Sequence, residues 1–313
     1  MALSCKAFIC EQVEAIREAV GDGCAISALS GGVDSAVATV LGHKALGKKM
    51  EAIFIDDGLM RQDEPSEVRD AFAKMGIAVQ VLNRKRRFFD ALAGKTDPEE
   101  KRRAFRDTFY RVFAEAVLKS RAQFLIQGTI KADIIETRKG VKTQHNILEQ
   151  IGIDPQSGYG YQVIEPLKTL FKPGVREVGK AAGLPAAFHQ RMPFPGPGLA
   201  TRCMGEATPK RIAIVRKACK IVEEETKGLK AFQCFAVLLA DRPTGVTKTG
   251  RRRDGDALAV RCVDSENAIS AEPTRLSWQR LMKIRDRILA EIPTATKVLY
   301  DLTPKPPSTI EYI

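Results

Sequence analysis

One short segment constrains this chain more than any other. An apolar run, Cys24-Ala-Ile-Ser-Ala-Leu29, passes straight into Ser30-Gly-Gly-Val-Asp-Ser35, and an apolar-periodic stretch begins at Ala36. The pattern is strand, tight glycine turn, helix. Such a turn aims backbone N–H groups and the positive end of a helix at whatever lies above it, which makes an anion site. The usual phosphate loop, G-x-x-x-x-G-K-S/T, carries a lysine, and this one has none. Gly42-His-Lys-Ala-Leu-Gly-Lys-Lys49 mimics that motif, but it ends in lysine and falls at a helix end rather than between strand and helix.

The strand-turn-helix unit repeats. Strand patterns lie at Cys24–Leu29, Glu51–Asp56, Ile77–Leu82, Gln123–Ile126 and Tyr161–Glu165, with helical patterns such as Ser66–Met75 and Pro98–Ser120 between them. Asp97-Pro-Glu-Glu100 is a helix start, with an N-cap aspartate, proline in the first turn and acids against the dipole. Phe105, Phe109, Val112, Phe113, Ala116 and Val117 then form one apolar stripe, which is core. Alternating units of this kind predict an α/β fold with a doubly wound parallel sheet, its ligands beyond the carboxyl ends of the strands. Three loops fall at such ends: Ser30–Ser35, Asp56-Asp-Gly58 and Gln127-Gly-Thr129.

Met192-Pro-Phe-Pro-Gly-Pro-Gly-Leu199 cannot be helix or central strand, and the rhythm changes after it. A helix (Pro209–Thr226), two strands (Phe232–Leu239, Ala257–Val263), a helix (Ser277–Glu291) and a last strand (Lys297–Leu302) follow. The expectation is two domains, 1–195 and a smaller α+β domain at 196–313.

With 50 basic and 38 acidic residues the net charge is +12, with clusters at Arg84-Lys-Arg-Arg87, Lys101-Arg-Arg103 and Arg251-Arg-Arg253. The balance favours anionic partners, although any single cluster reads more readily as a solvated helix face. Only 6% of residues are aromatic and none interleave with the basic runs, which argues against a nucleic-acid surface. No apolar run is long enough for a membrane span, and the first residues lack a secretory pattern, so the expected compartment is the cytoplasm. The seven cysteines are scattered and never in C-x-x-C spacing, unlike a disulfide framework or zinc site.

Ser30, Gly31, Gly32, Val33, Asp34, Ser35 and Ala36 are the candidate phosphate-binding residues, which the resemblance named next assigns to ATP. Glycines let the backbone approach an oxyanion, serines add donors, and Asp34 can hold Mg²⁺ against phosphate. The loop resembles the S-G-G-x-D-S signature of the PP-loop ATP pyrophosphatases. Members of that family adenylate a carbonyl oxygen, and the loop binds the β,γ-phosphates that leave together. Further segments narrow the resemblance to GMP synthetases, in particular the ATP-pyrophosphatase subunit of the two-subunit type. They are Asp56-Asp-Gly-Leu-Met-Arg61, Asp97-Pro-Glu-Glu-Lys-Arg-Arg103, Gln127-Gly-Thr-Ile130 with Asp133 and Glu136, and Lys142-Thr-Gln-His-Asn146. Glu165-Pro-Leu-Lys-Thr-Leu-Phe-Lys172, Arg191-Met-Pro-Phe-Pro-Gly-Pro-Gly-Leu199 and Lys305-Pro-Pro-Ser-Thr-Ile-Glu311 complete the set.

The resemblance implies a ligase. ATP and XMP give an adenylated XMP, and ammonia then displaces AMP to leave GMP. It assigns XMP binding to Arg102, Lys305 and Glu311, a catalytic or lid role to Lys142 and His145, and the metal contact to Asp34. It also implies pairing of two chains through the C-terminal domain. The apolar strand Phe232–Leu239, which needs cover on both faces, points the same way. The histidines His43, His145 and His189 form no glutaminase motif with any cysteine, so ammonia is expected from a separate glutamine amidotransferase subunit.

Three segments depart from the family. Lys142-Thr-Gln-His-Asn-Ile-Leu-Glu149 stands for K-S-H-H-N-V-G-G, Thr244-Gly-Val-Thr-Lys-Thr-Gly-Arg-Arg-Arg-Asp254 for V-G-V-x-G-D-x-R, and Ile313 for a terminal glutamate. Two alternatives stay open at this level: a diverged paralogue that binds nucleotide or partner without making GMP, and another adenylating enzyme such as a tRNA thiolase.

Overall fold

Five parallel strands form one sheet in the order β3-β2-β1-β4-β5. β1 (Ala25–Leu29) lies at the centre, between β2 (Met50–Asp56) and β4 (Phe124–Ile126). β3 (Val79–Asn83) and β5 (Gln162–Ile164) are the edges. The chain winds outward from β1 to β3, then returns to β4 on the other side of β1. Order therefore reverses between β1 and β4, and the loops after these two strands flank the crevice where doubly wound sheets bind ligands. The structure is a computed structural model that describes residues 4–120, 122–138, 162–189, 192–247, 249–266 and 268–312.

The five expected strands are present within two residues at each end. Helices cover them, as parallel strands require. Helix Val33–Leu46 buries Ala36, Val37, Val40 and Leu41, each no more than 1% exposed. Its Thr39 hydroxyl is 2.8 Å from that of Ser27 in β1, which satisfies two buried hydroxyls at once. Gly42 lets the same helix approach the sheet, because a Cβ there would meet Ile126 and Met50 at about 2.5 Å. Helix Lys172–Ala181 packs beside it through Gly179, where a Cβ would stand 2.8 Å from Val37.

Helix Pro98–Ser120 begins as its sequence predicts, with Asp97 accepting from Glu100 N at 2.9 Å. Its stripe is core: Phe105, Val112, Phe113 and Val117 are buried, and Phe109 stacks on Phe113.

Contacts divide the chain into two compact units. The first comprises Met1–Asp56, Asp63–Arg84 and Asp107–Arg191; the second comprises Asp57–Gln62, Lys85–Arg106 and Met192–Ile313. Two segments from the first half of the sequence thus cluster with the C-terminal residues. The second unit is built on β9 (Asp256–Asp264), flanked by antiparallel β6 (Gln233–Leu238) on one side. On its other side are parallel β11 (Ala295–Tyr300) and the short β10 (Glu272–Pro273). A small hairpin, β7 (Thr244–Val246) with β8 (Arg252–Asp254), has no counterpart in the sequence patterns. Helices Pro209–Glu225 and Trp278–Glu291 start at Thr208 and Ser277, whose hydroxyls cap the first turn. Every residue of β6 is buried within the single chain, so its two apolar faces already have cover.

Candidate active site

The loop after β1 is built for a ligand. Gly31 has φ +76°, and a Cβ there would sit 2.5 Å from Oε1 of the buried Glu64, so both conformation and space demand glycine. Ser35 Oγ ties the loop together: it accepts from Ser30 N at 3.1 Å, lies 3.0 Å from Ser30 Oγ, and donates to Gly32 O at 3.2 Å. Gly32 is the N-cap of helix Val33–Leu46 and offers no side-chain acceptor. The first-turn amides are left for an external anion.

The loop after β4 meets it. Gly128 lies so close to the Asp34–Ser35 backbone that a Cβ would stand 2.7–2.8 Å from it. That contact sets Thr129 beside the glycine loop at the switch point. Two polar atoms there are buried and have no hydrogen-bond partner among the described residues: Asp34 Oδ1 and Thr129 Oγ1. Buried polar atoms are rarely left unsatisfied, and a pair of them at a helix N-terminus fits a phosphate with its cation.

The missing lysine is supplied from elsewhere. Lys172, first residue of helix Lys172–Ala181, places Nζ 2.5 Å from Asp34 Oδ2. In the sequence Lys172 merely closes one of the family segments, with nothing local to mark its role; only the packing of its helix through Gly179 shows where it goes. Burial pushes the Asp34 carboxyl up from its ordinary value and Asp133 adds to that, while Lys172 and Arg176 oppose. A carboxylate and a hydroxyl are oxygen donors of the kind that can ligate a hard cation, and an ammonium beside them can pair with phosphate.

The candidate XMP residues all belong to the second unit, although Arg102 lies some two hundred positions before the tail. Arg102 is partly exposed and pairs with Glu99, one turn back in its own helix. Its neighbour Lys101 is buried and donates to three carbonyls: Ala200 (3.1 Å), Cys203 (2.7 Å) and Gly205 (3.0 Å). Burial lowers its pKa. Lys305 donates to Ala268 O at 2.8 Å, and among the described residues no carboxylate lies within ion-pair distance of it. Glu311 accepts from Arg202 Nε (3.1 Å) and Nη2 (3.0 Å), and from Gln233 Nε2. Arg202 is itself buried between the rings of Phe194 and Phe235. Lys305 and Glu311 therefore have separate partners rather than a common one. Lys142 and His145 lie outside the described residues.

The proline-glycine stretch is anchored too. Leu199 N donates to Leu59 O at 2.8 Å, and Gly198, at φ +59°, leaves no room for a Cβ against the same carbonyl. Arg61 pairs with Glu223 at 3.0 Å and stacks on Phe194.

Comparison with known proteins gives a consistent match. A family model described as NAD synthase matches residues 5–196, and one described as GMP synthase C terminal domain matches residues 220–312. The chain is 48% identical over 305 residues to a subunit of the glutamine-hydrolyzing GMP synthase of Archaeoglobus fulgidus, covering 97% of this chain and 98% of that one. The same subunit from Thermococcus kodakarensis and from Methanopyrus kandleri is 47% and 43% identical, covering 97% and 98% of this chain and 98% of each of theirs.

Proposed function

The chain belongs to the GMP synthase family, as a subunit of the glutamine-hydrolyzing enzyme, and from that premise we propose how its residues carry out the ATP-dependent amination of XMP to GMP. The match over nearly the whole chain favours this reading over a paralogue that binds without turnover or a tRNA thiolase.

The β- and γ-phosphates of ATP rest on the loop Ser30–Ala36, with the amides of Gly31–Ser35 as donors at the N-terminus of helix Val33–Leu46, since those of Ser30 and Ala36 are used within the loop. Lys172 and Thr129 complete the cradle. Asp34 would hold magnesium, which when bound would neutralise phosphate charge. The orphaned pair Asp34 Oδ1 and Thr129 Oγ1 carries this assignment. XMP is held by Arg102, Lys305 and Glu311. The XMP C2 oxygen attacks the α-phosphorus and the bond to the β-phosphate oxygen breaks, so pyrophosphate leaves as a unit. Ammonia then adds at C2, and AMP departs with that oxygen. The loop's task is to hold a leaving pyrophosphate rather than to transfer a γ-phosphoryl group, so alignment and charge neutralisation carry the chemistry.

Ammonia comes from a separate glutaminase subunit, and Lys142 and His145 serve as lid or catalytic groups. Residues 1–195 are assigned to the ATP pyrophosphatase domain and 196–313 to the dimerisation and XMP domain, the latter joined by 57–62 and 85–106, which cluster with it. XMP labelled with ¹⁸O at the C2 oxygen tests the route. We expect the label in the AMP phosphate; label released into water or kept in GMP would contradict adenylation.

A further inference from the structure

Arg261 lies in the middle of β9 and is fully buried, where its strand neighbours are apolar. Burying a guanidinium is costly unless every donor is used. Here all its bonds go to one place. It donates through Nη1 to Asp301 Oδ2 (2.5 Å) and Thr303 O (3.1 Å), through Nη2 to Thr309 O (2.6 Å), and through Nε to Ile310 O (3.0 Å). The first two partners precede Lys305 and the last two follow it. One planar fork therefore closes the neck of a loop with Lys305 in its middle.

The rest of that loop is pinned as well. Lys305 N donates to Ala271 O at 2.8 Å and Lys305 O accepts from Ala271 N at 3.1 Å. Among the described residues the Lys305 ammonium touches only a neutral carbonyl, Ala268 O. Among those residues it is a cation held in place with no anion beside it.

We propose that Arg261 is a positioning residue for XMP: it closes the tail loop 301–310 so that the Lys305 ammonium is already presented to the nucleotide's phosphate. The proposal rests on the reading of the tail as the XMP clamp. The physical gain is pre-organisation, because a loop ordered before binding costs less to order at binding. Lysine cannot replace the fork, since an ammonium is a point charge with no planar array of donors to span both ends.

The test uses the full chain with ammonium salt as nitrogen source. For Arg261→Lys we expect the KM for XMP to rise about tenfold and that for ATP to change less than about twofold. Amide exchange should quicken across 303–312 but not across 30–36. Combined with Lys305→Met, Arg261→Lys should add little to the XMP loss of Lys305→Met alone. A wild-type XMP KM with wild-type exchange in the tail would overturn the proposal, as would equal losses for both nucleotides. Should Arg261→Lys fail to fold, Asp301→Asn neutralises one partner only, leaving Arg261 Nη1 a neutral acceptor in place of a carboxylate. It should raise the XMP KM about threefold, and no rise would overturn the proposal. Lys305→Met with an unchanged XMP KM would sink the clamp reading itself. Tail exchange, which reports Arg261's hold independently, separates that failure from this one.

Discussion

At the scale of single residues, the proposed mechanism places its metal contact on Asp34. Removing its carboxylate takes away a cation contact at a loop, not a core group. Asp34→Ala should abolish XMP-dependent pyrophosphate release while leaving the thermal unfolding curve of the free protein nearly unchanged. Its protonation sets a pH dependence of definite sign. Burial raises its folded pKa above the ordinary carboxylate value, so a proton competes with the cation at a higher pH than at an exposed aspartate. Apparent magnesium affinity in the ATP complex should fall as pH is lowered through that raised value, and the fall should vanish in Asp34→Asn. The same shift means that this group favours the free fold below its unfolded pKa and loses that contribution as pH rises through the folded one. Gly31 offers a second check. At φ +76° and against Glu64, alanine should distort the loop at a cost of about 1–3 kcal/mol and weaken ATP binding, measured by titration. The glycines, serines and Asp34 were legible in the sequence because strand, loop and helix are consecutive there. Lys172 and Thr129 acquired their roles only in three dimensions, since their place depends on strand order and on one helix lying against another.

At the scale of elements, the basic segment Lys101-Arg102-Arg103 splits into unlike parts. Lys101 ties helix Pro98–Ser120 to the 3₁₀ turn Gly198–Arg202 and the residues just after it through three carbonyls, whereas among the described residues Arg102 reaches only Glu99. Lys101→Met should therefore cost about 2–4 kcal/mol in denaturant unfolding, because it strands buried acceptors. Arg102→Met should cost less than about 0.5 kcal/mol and act on XMP affinity instead. Charge runs look alike in a sequence, and burial alone tells the structural lysine from the available arginine. The long helices and the five parallel strands were readable from periodicity and caps. The three-residue strands β7 and β8 were not, because they are polar, short and held by one hairpin pairing. Glu311 shows the same limit: its bonds to Arg202 and Gln233 depend on the tail folding back, which no local pattern announces.

At the scale of the whole molecule, the proposed pairing of two chains needs a surface other than the one that strand periodicity suggested. β6 is already covered, but the second unit leaves Ile269, Trp278 and Leu302 each at least 70% exposed. In the proposed pairing these exposed side chains are the candidates for the shared face. Light scattering should report a dimer at micromolar concentration, and Trp278→Glu with Leu302→Glu should yield a monomer; a wild-type monomer with full activity would rule the pairing out. The central claim is that this chain makes GMP by adenylating XMP, with ammonia supplied from outside. The direct measurement is product formation from XMP, ATP, Mg²⁺ and ammonium salt by this chain alone. The account predicts GMP, AMP and pyrophosphate in equal amounts, with glutamine unable to replace ammonium. Release of ADP and phosphate, or no GMP at saturating ammonium, would contradict it.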